Sequence, residues 1–183
     1  MSIGHFENNI ERYGLKLRLI EPDDAHFVLK LRTDPVLSRF LSKTDGSLKN
    51  QVDWIERYKE RELLGEEYYF VVMNSQNESL GTTRLSELSG DCFELGSWLF
   101  SRDSPQGSSI IADVITKEIG FDTLGFDMCK FNVRKNNRSV LKYHLNFLPK
   151  VVDETDLDIF FTLSKENFNI NKLKFLKFYN HGN

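Results

Sequence analysis

A chain of 183 residues is long enough for one domain with a well-buried core and short for two. Its 24 Lys and Arg against 27 Asp and Glu leave a net charge of −3, which offers no general attraction to nucleic acid or to an anionic membrane, so neither is an expected partner. The composition is that of an ordinary globular protein, no apolar run approaches the roughly 18 residues that span a bilayer, and MSIGHFENNIERYG lacks the order of a secretion signal; the expected setting is the cytoplasm.

Residues 1–14 are polar and read as a loosely ordered leader. Leu15, Leu17 and Leu19 alternate with Lys16 and Arg18, the pattern of a first strand. Pro22 with Asp23 and Asp24 behind it suits a helix start, and that helix turns Phe27, Val28 and Leu31 inward and stops near Asp34, ahead of Pro35. A short segment at 36–41 and a turn at Thr44-Asp45-Gly46 lead to a longer helix, marked by Leu48, Val52, Ile55 and Leu63 and ended by Gly65. Three strand-like runs follow, 68–73, 80–88 and 93–100, joined by short polar links that favour an antiparallel meander. After a loop holding Pro105, Gln106 and Gly107, Ile110, Ile111, Val114, Ile115 and Ile119 fall three and four apart, as on one face of a helix. A strand at 130–133, a helix at 136–145 and two strands at 151–152 and 158–163 come next. The tail from Ser164 carries Phe168, Leu173, Leu176 and Tyr179 among lysines, an amphipathic pattern that suits either a lid over a sheet edge or a partner-binding helix.

These elements predict the α/β class in its α+β form: a mixed, mostly antiparallel central sheet with helices on both faces. One domain is expected over residues 15–168, between the leader 1–14 and a C-terminal extension 169–183.

The stretch 93–121 carries the clearest chemistry. A buried strand that feeds through a glycine-containing turn into a helix N-terminus offers unpaired N–H groups and the positive end of the helix dipole, an arrangement that binds phosphates. The fingerprints GxxxxGK-[ST], GxGxxG and GxSxG are absent. His5, His26, His144 and His181 are scattered without metal-site spacing, and Cys92 and Cys129 form no close pair; no metal is expected, and both cysteines read as small buried hydrophobes. Glu94 has apolar neighbours, where desolvation would raise its pKa toward the range of a general base; the alternative is a carboxylate on the solvated face of the sheet. Asn136 or Asn137 suits a helix cap that can also touch a ligand. Tyr143, seven positions beyond Asn136 and on nearly the same helical face, suits core packing or proton donation.

Together, the order of elements, the turn PQGSS, the strand segment ELG and the run NNRS-xxx-Tyr resemble the GNAT superfamily of acyl-CoA-dependent N-acyltransferases over residues 15–168. The chain is similar to the branch with ribosomal-protein N-terminal acetyltransferases, and LRTDPVLSRFL followed by DWIERY is similar to acetyltransferases of nucleotide-linked amino sugars. The resemblance implies acetyl-CoA as cosubstrate. It implies that the backbone of Gln106, Gly107, Ser108 and Ser109 holds the pyrophosphate, that Trp98, Leu99 and Phe100 pair with the pantetheine arm as an added strand, and that Asn136 and Ser139 touch the cofactor. Ser109 replaces the family's second glycine and Ile111 its last small residue, restricting backbone conformation and approach. By the same resemblance Glu94 takes the proton of the amine and Tyr143 protonates the leaving thiolate; counting back from Asn146-Phe147 puts Lys142 in the latter position instead.

The activity implied is transfer of an acetyl group to a primary amine of a small molecule, for instance a nucleotide-linked amino sugar. The alternatives are N-terminal acetylation of a protein such as a ribosomal protein, and an acyl-CoA-binding scaffold without turnover. Residues 39–51 and 85–92 are expected to line the acceptor site, with Arg32, Arg39 and Arg84 either pairing with carrier phosphates or solvated. A monomer or homodimer is expected.

Overall fold

The computed structural model describes residues 9–40 and 44–180, with side chains as far as 177. Eight strands, β1 (Asn9–Arg12), β2 (Leu15–Leu19), β3 (Tyr68–Met73), β4 (Ser79–Ser89), β5 (Cys92–Phe100), β6 (Met128–Arg134), β7 (Lys150–Glu154) and β8 (Asp158–Ser164), form one sheet in the order β1-β2-β3-β4-β5-β6-β8-β7. Every neighbouring pair is antiparallel except β5 with β6. The helices are α1 (Ala25–Thr33), α2 (Leu48–Leu63), α3 (Ser108–Glu118), α4 (Arg138–Leu145) and α5 (Lys165–Asn180). This is the mixed, mostly antiparallel architecture that the sequence predicts.

The all-apolar run of β3 explains the layering. A strand alternates its side chains between faces, so a strand that is apolar throughout needs cover on both. Tyr69, Val71 and Met73 pack with Val28 of α1 and with Ile55 and Tyr58 of α2. Tyr68, Phe70 and Val72 join the larger core on the other face, where Ile111, Val114 and Ile115 of α3 meet Phe93, Phe131 and Phe161 of the sheet. Local chemistry sets the helix ends: the Ser47 hydroxyl accepts from the Asn50 amide at 3.2 Å to start α2, and a capping box between Glu21 and Asp24 starts a 3-10 turn at Pro22–Asp24 that runs into α1.

Two expectations change. The leader is a strand from Asn9 onward: β1 pairs with β2 through the two-residue turn Tyr13-Gly14, where both residues have positive φ (52° and 77°), the geometry that matches strand twist in a tight hairpin. Arg12 and Tyr13 then bond the Glu118 carboxylate at 3.0 and 2.9 Å, and Lys172 of α5 reaches it at 2.9 Å. The tail is α5, which lies against α3 and β8 rather than along an edge strand, because Phe168 and Phe175 stack into the aromatic cluster of Phe121, Phe147 and Tyr143. The short segment expected at 36–41 is a 3-10 turn at Ser38–Phe40. Residues 1–8 of the leader, Leu41, the side chain of Tyr179, His5 and His181 lie outside the described residues.

Past α3 the chain winds through a wide turn at Ile119–Thr123, where Gly120 lies under the fully buried ring of Phe93. A Cβ on Gly120 would stand 2.4 Å from that ring, whereas one on Gly96 would meet nothing within 4 Å. Gly120→Ala is therefore expected to cost about 1–3 kcal/mol in urea unfolding and Gly96→Ala less than about 1 kcal/mol.

Candidate active site

The site begins where two adjacent strands cease to pair. β5 and β6 are in register only from Cys92 to Glu94, opposite Met128 to Lys130. Beyond Glu94 the two strands follow different partners. β6 stays on β8 as far as Arg134 opposite Asp158. On β5, Leu99 faces Thr82 and Gly96 faces Arg84, so that both Ser97 and Trp98 stand opposite Thr83 alone. This extra residue bends the strand. Ser97 takes φ of 49°, and its carbonyl accepts from the Thr82 hydroxyl at 2.9 Å. A cleft of about 350 Å3 opens between the strands, with Glu94, Ser97 and Trp98 on one side and Phe131, Asn132 and Arg134 on the other. From Leu95 to Phe100 the outer edge of β5 has no strand partner among the described residues, so that edge is open to pairing with an extended ligand.

The expected phosphate turn stands beside this edge. Gly107 caps α3 with φ of 88°, a conformation that glycine adopts without steric cost. The Ser108 amide bonds the Pro105 carbonyl at 3.1 Å and the Ile111 amide bonds that of Gly107 at 3.0 Å, while the first-turn amides of Ser109 and Ile110 bond no backbone carbonyl among the described residues. Ser108 is fully buried and its hydroxyl has no partner among the described residues. The indole of Trp98 donates to the Ser109 carbonyl at 2.9 Å and so ties the bulge to the helix start. Ile111 is buried in the main core, so its bulk points away from the turn, and Gln106 is exposed. Leu99 and Phe100 continue β5 against β4.

Behind the cleft is a buried charged group. Asp113 of α3 accepts from Lys117, which is also fully buried, and from the hydroxyl of Tyr143. Burial and the Asp113 charge push the Tyr143 phenol well above its ordinary pKa. The hydroxyl is thus turned to Asp113, and the ring packs on Trp98 and Phe147 outside the cleft wall. The next residue, His144, is part of the wall; burial first, and the Lys117 charge second, hold its pKa near 3. Lys142 is exposed, as are Asn136 and Ser139. Asn137, rather than Asn136, occupies the cap position of α4 and lines the cleft, and it accepts from the Ser139 hydroxyl at 3.2 Å. Half-buried Glu94 titrates above the usual carboxylate range, first because of burial and then because of the neighbouring Glu87.

A second cleft of about 310 Å3 lies on the α1–α2 face, lined by Arg32, Asp45, Asn50, Trp54 and Arg84. Ser97 lines this cleft as well as the first. Arg84 bonds Glu67, which also takes Arg61, and its guanidinium lies 5.4 Å from the centre of the Trp54 ring. Among the lining residues Arg32 and Arg84 stand against the single carboxylate of Asp45, which leaves the cleft positive on balance. Arg39 stacks on Phe40 and is not part of this wall, and none of residues 85–92 lines it. Trp54, Asp113 and His144 are absent from the sequence-based site; only Trp54, inside DWIERY on the predicted helix, had a motif to mark it. No group of three or more metal-ligating side chains occurs among the described residues, and no described helix is long and apolar enough to cross a membrane.

Residues 14–145 match the family model described as the acetyltransferase (GNAT) domain. The structure is similar to that of apo FdhC, described as a nucleotide-linked sugar GNAT, with 33% identity over 93% of this chain and 98% of that one and a TM-score of 0.83. The fold is shared with the ribosomal-protein-S5-alanine acetyltransferase of Vibrio fischeri, at 14% identity over 87% of this chain and 98% of that one, TM-score 0.72. It is also shared with the spermidine N-acetyltransferase of Vibrio cholerae in complex with CoA and spermine, at 15% identity over 86% and 99%, TM-score 0.71. No curated protein matches the chain by sequence.

The buried histidine makes a pH prediction. In the unfolded chain an imidazole takes up a proton near pH 6.5, whereas folded His144 stays neutral down to about pH 3. Below pH 6.5 the unfolded state binds more protons, so stability falls as the pH drops through this window, by at most about 1.4 kcal/mol per unit. Urea unfolding between pH 7 and 4 is expected to show a shallower slope for His144→Phe, and the His144 ring resonances of the folded protein are expected not to titrate between pH 8 and 5.

Proposed function

Because the chain belongs to the GNAT acetyltransferase family, we propose that it transfers the acetyl group of acetyl-CoA to the primary amine of a nucleotide-linked amino sugar, as a cytoplasmic enzyme with one catalytic domain over residues 15–168. The observation that carries this reading is the meeting of the two clefts at Ser97: one has an unpaired strand edge and a helix N-terminus, the other an excess of positive charge beside an indole. The 33% identity with a nucleotide-linked sugar GNAT supports this acceptor over a protein N-terminus, since the ribosomal-protein enzyme resembles the chain in fold alone.

The residues present suit acetyl-CoA. Gly107, the amides of Ser109 and Ile110, and the buried, unpartnered hydroxyl of Ser108 suit a diphosphate at the head of α3. The free edge at Trp98, Leu99 and Phe100 suits an amide-bearing arm laid alongside it. In the second cleft Arg32 and Arg84 would face the phosphates of the carrier, and Trp54 would offer a flat surface to its base.

An alkyl amine with pKa near 10 is mostly protonated at pH 7 and must lose a proton before it attacks. Glu94, whose affinity for a proton is raised by burial, accepts it. As the new C–N bond forms, strand amides near Leu99 stabilise the charge that develops on the carbonyl oxygen. The C–S bond then breaks; the Tyr143 hydroxyl, which lies behind the cleft wall on Asp113, leaves that bond and turns into the cleft to protonate the sulfur, and the second proton of the attacking nitrogen, lost as the amide forms, restores the phenol, while Lys117 stays on Asp113. The acetyl group passes directly between substrates, with no acyl-enzyme.

Release of free CoA, followed with nucleotide-linked amino sugars, free amino sugars, polyamines and peptides, is expected to be fastest with the first group; equal or faster release with peptides would replace the acceptor. Glu94→Gln and Tyr143→Phe are each expected to lower kcat/KM about 10²-fold, and a loss below about threefold would remove the assigned role. Arg32→Ala is expected to raise KM for a nucleotide-linked acceptor about tenfold while leaving that for the free amino sugar within about twofold.

A further inference from the structure

Beyond the parting of the strands, an imidazole is wedged into the opening. The ring of His144 lies 4.4 Å from that of Phe131 on β6 and 5.6 Å from that of Trp98 on β5, so it sits between side chains of the two strands. It lines the cleft, and only 5% of the residue is exposed. Nδ1 is sealed from solvent, Nε2 alone of the two keeps access to the cleft, and neither ring nitrogen makes a hydrogen bond to any described residue. Buried polar atoms are nearly always paired, because an unpaired one costs about 1–3 kcal/mol. The neighbouring groups have partners of their own: Tyr143 and Lys117 bond Asp113, and Asn137 takes the Ser139 hydroxyl.

We infer that His144 is the hydrogen-bonding partner of an amide in the arm of acyl-CoA, holding the arm against the free edge of β5. The inference rests on the proposed use of acetyl-CoA and adds a residue to it. The accessible Nε2 of a neutral imidazole is either an N–H donor or a lone-pair acceptor, and so bonds either the carbonyl or the N–H of an amide. The aromatic rings on either side exclude water from that bond and fix the plane of the imidazole. Lys117 and Asp113 are the charged groups that face the ring, and the buried lysine opposes a second positive charge on it.

Calorimetric titration with CoA, and separately with the nucleotide half of CoA cut off before the arm, tests this. His144→Phe keeps the ring volume and removes both nitrogens; it is expected to weaken CoA binding about tenfold and to leave the nucleotide half within twofold of the unaltered protein. His144→Gln is expected to recover part of the loss. In the unaltered protein the ring-nitrogen resonances of His144 are expected to shift on adding CoA and to stay in place on adding the nucleotide half, a readout that holds even where a variant fails to fold. CoA affinity within twofold of normal in His144→Phe, an equal loss for both ligands, or ring resonances unmoved by CoA would overturn the inference. If the unaltered protein binds no CoA, the acetyl-CoA reading falls and this inference with it; if it binds CoA normally and the histidine is indifferent, only the inference falls.

Discussion

β5 and β6 hold each other for three residues and then separate, and most of what this molecule has to work with follows from that short ladder. A parallel pair continued to the ends of both strands would close the sheet and leave α3 starting over a solid surface. Instead the doubled position at Ser97 and Trp98 commits β5 to β4, and the continuous pairing of β6 with β8 holds the other side in place. The gap is therefore a fixed property of the hydrogen-bond register and needs no hinge. Because Ser97 stands in the wall of both clefts, the bend that opens one also shapes the other.

The frame around the gap is held by polar contacts in unusual places. Asp113 and Lys117 are both buried, an arrangement whose desolvation cost is large unless each charge is fully compensated. Here the carboxylate has the ammonium and the phenol of Tyr143, and the ammonium also lies 4.8 Å from the centre of the Phe147 ring. These contacts join α3, which begins at the Gly107 turn, to α4, which carries Tyr143 and His144. Together with the bond from Trp98 to the first turn of α3, they place strand edge, helix start and α4 in one rigid unit.

The parts of this plan that depend on near neighbours in the chain were legible beforehand. The six apolar residues of β3, the isoleucine stripe of α3 and the PQGSS turn each announce themselves by spacing or turn chemistry. The strand β1 was hidden because Ile10 is its one apolar residue and Tyr-Gly is a weak turn signal beside Asn-Gly. A serine in a left-handed conformation leaves no trace in composition, so the bulge at Ser97 could not be read. Whether Tyr143 faces the cleft or the core is decided by Asp113, thirty positions earlier, and no local pattern carries such information. The same holds for Arg32 and Arg39, which look equivalent in sequence and end up in different surroundings.

Glu118 has a consequence for how the fold assembles. Its carboxylate takes Arg12 from 106 positions before it and Lys172 from 54 positions after it, so the hairpin and the final helix meet on one side chain of the central helix. Chain entropy opposes closing loops of that length until local structure has shortened the search. Each of these contacts gains most once α3 and the inner strands hold Glu118 in place, and the hairpin and the final helix then share one anchor.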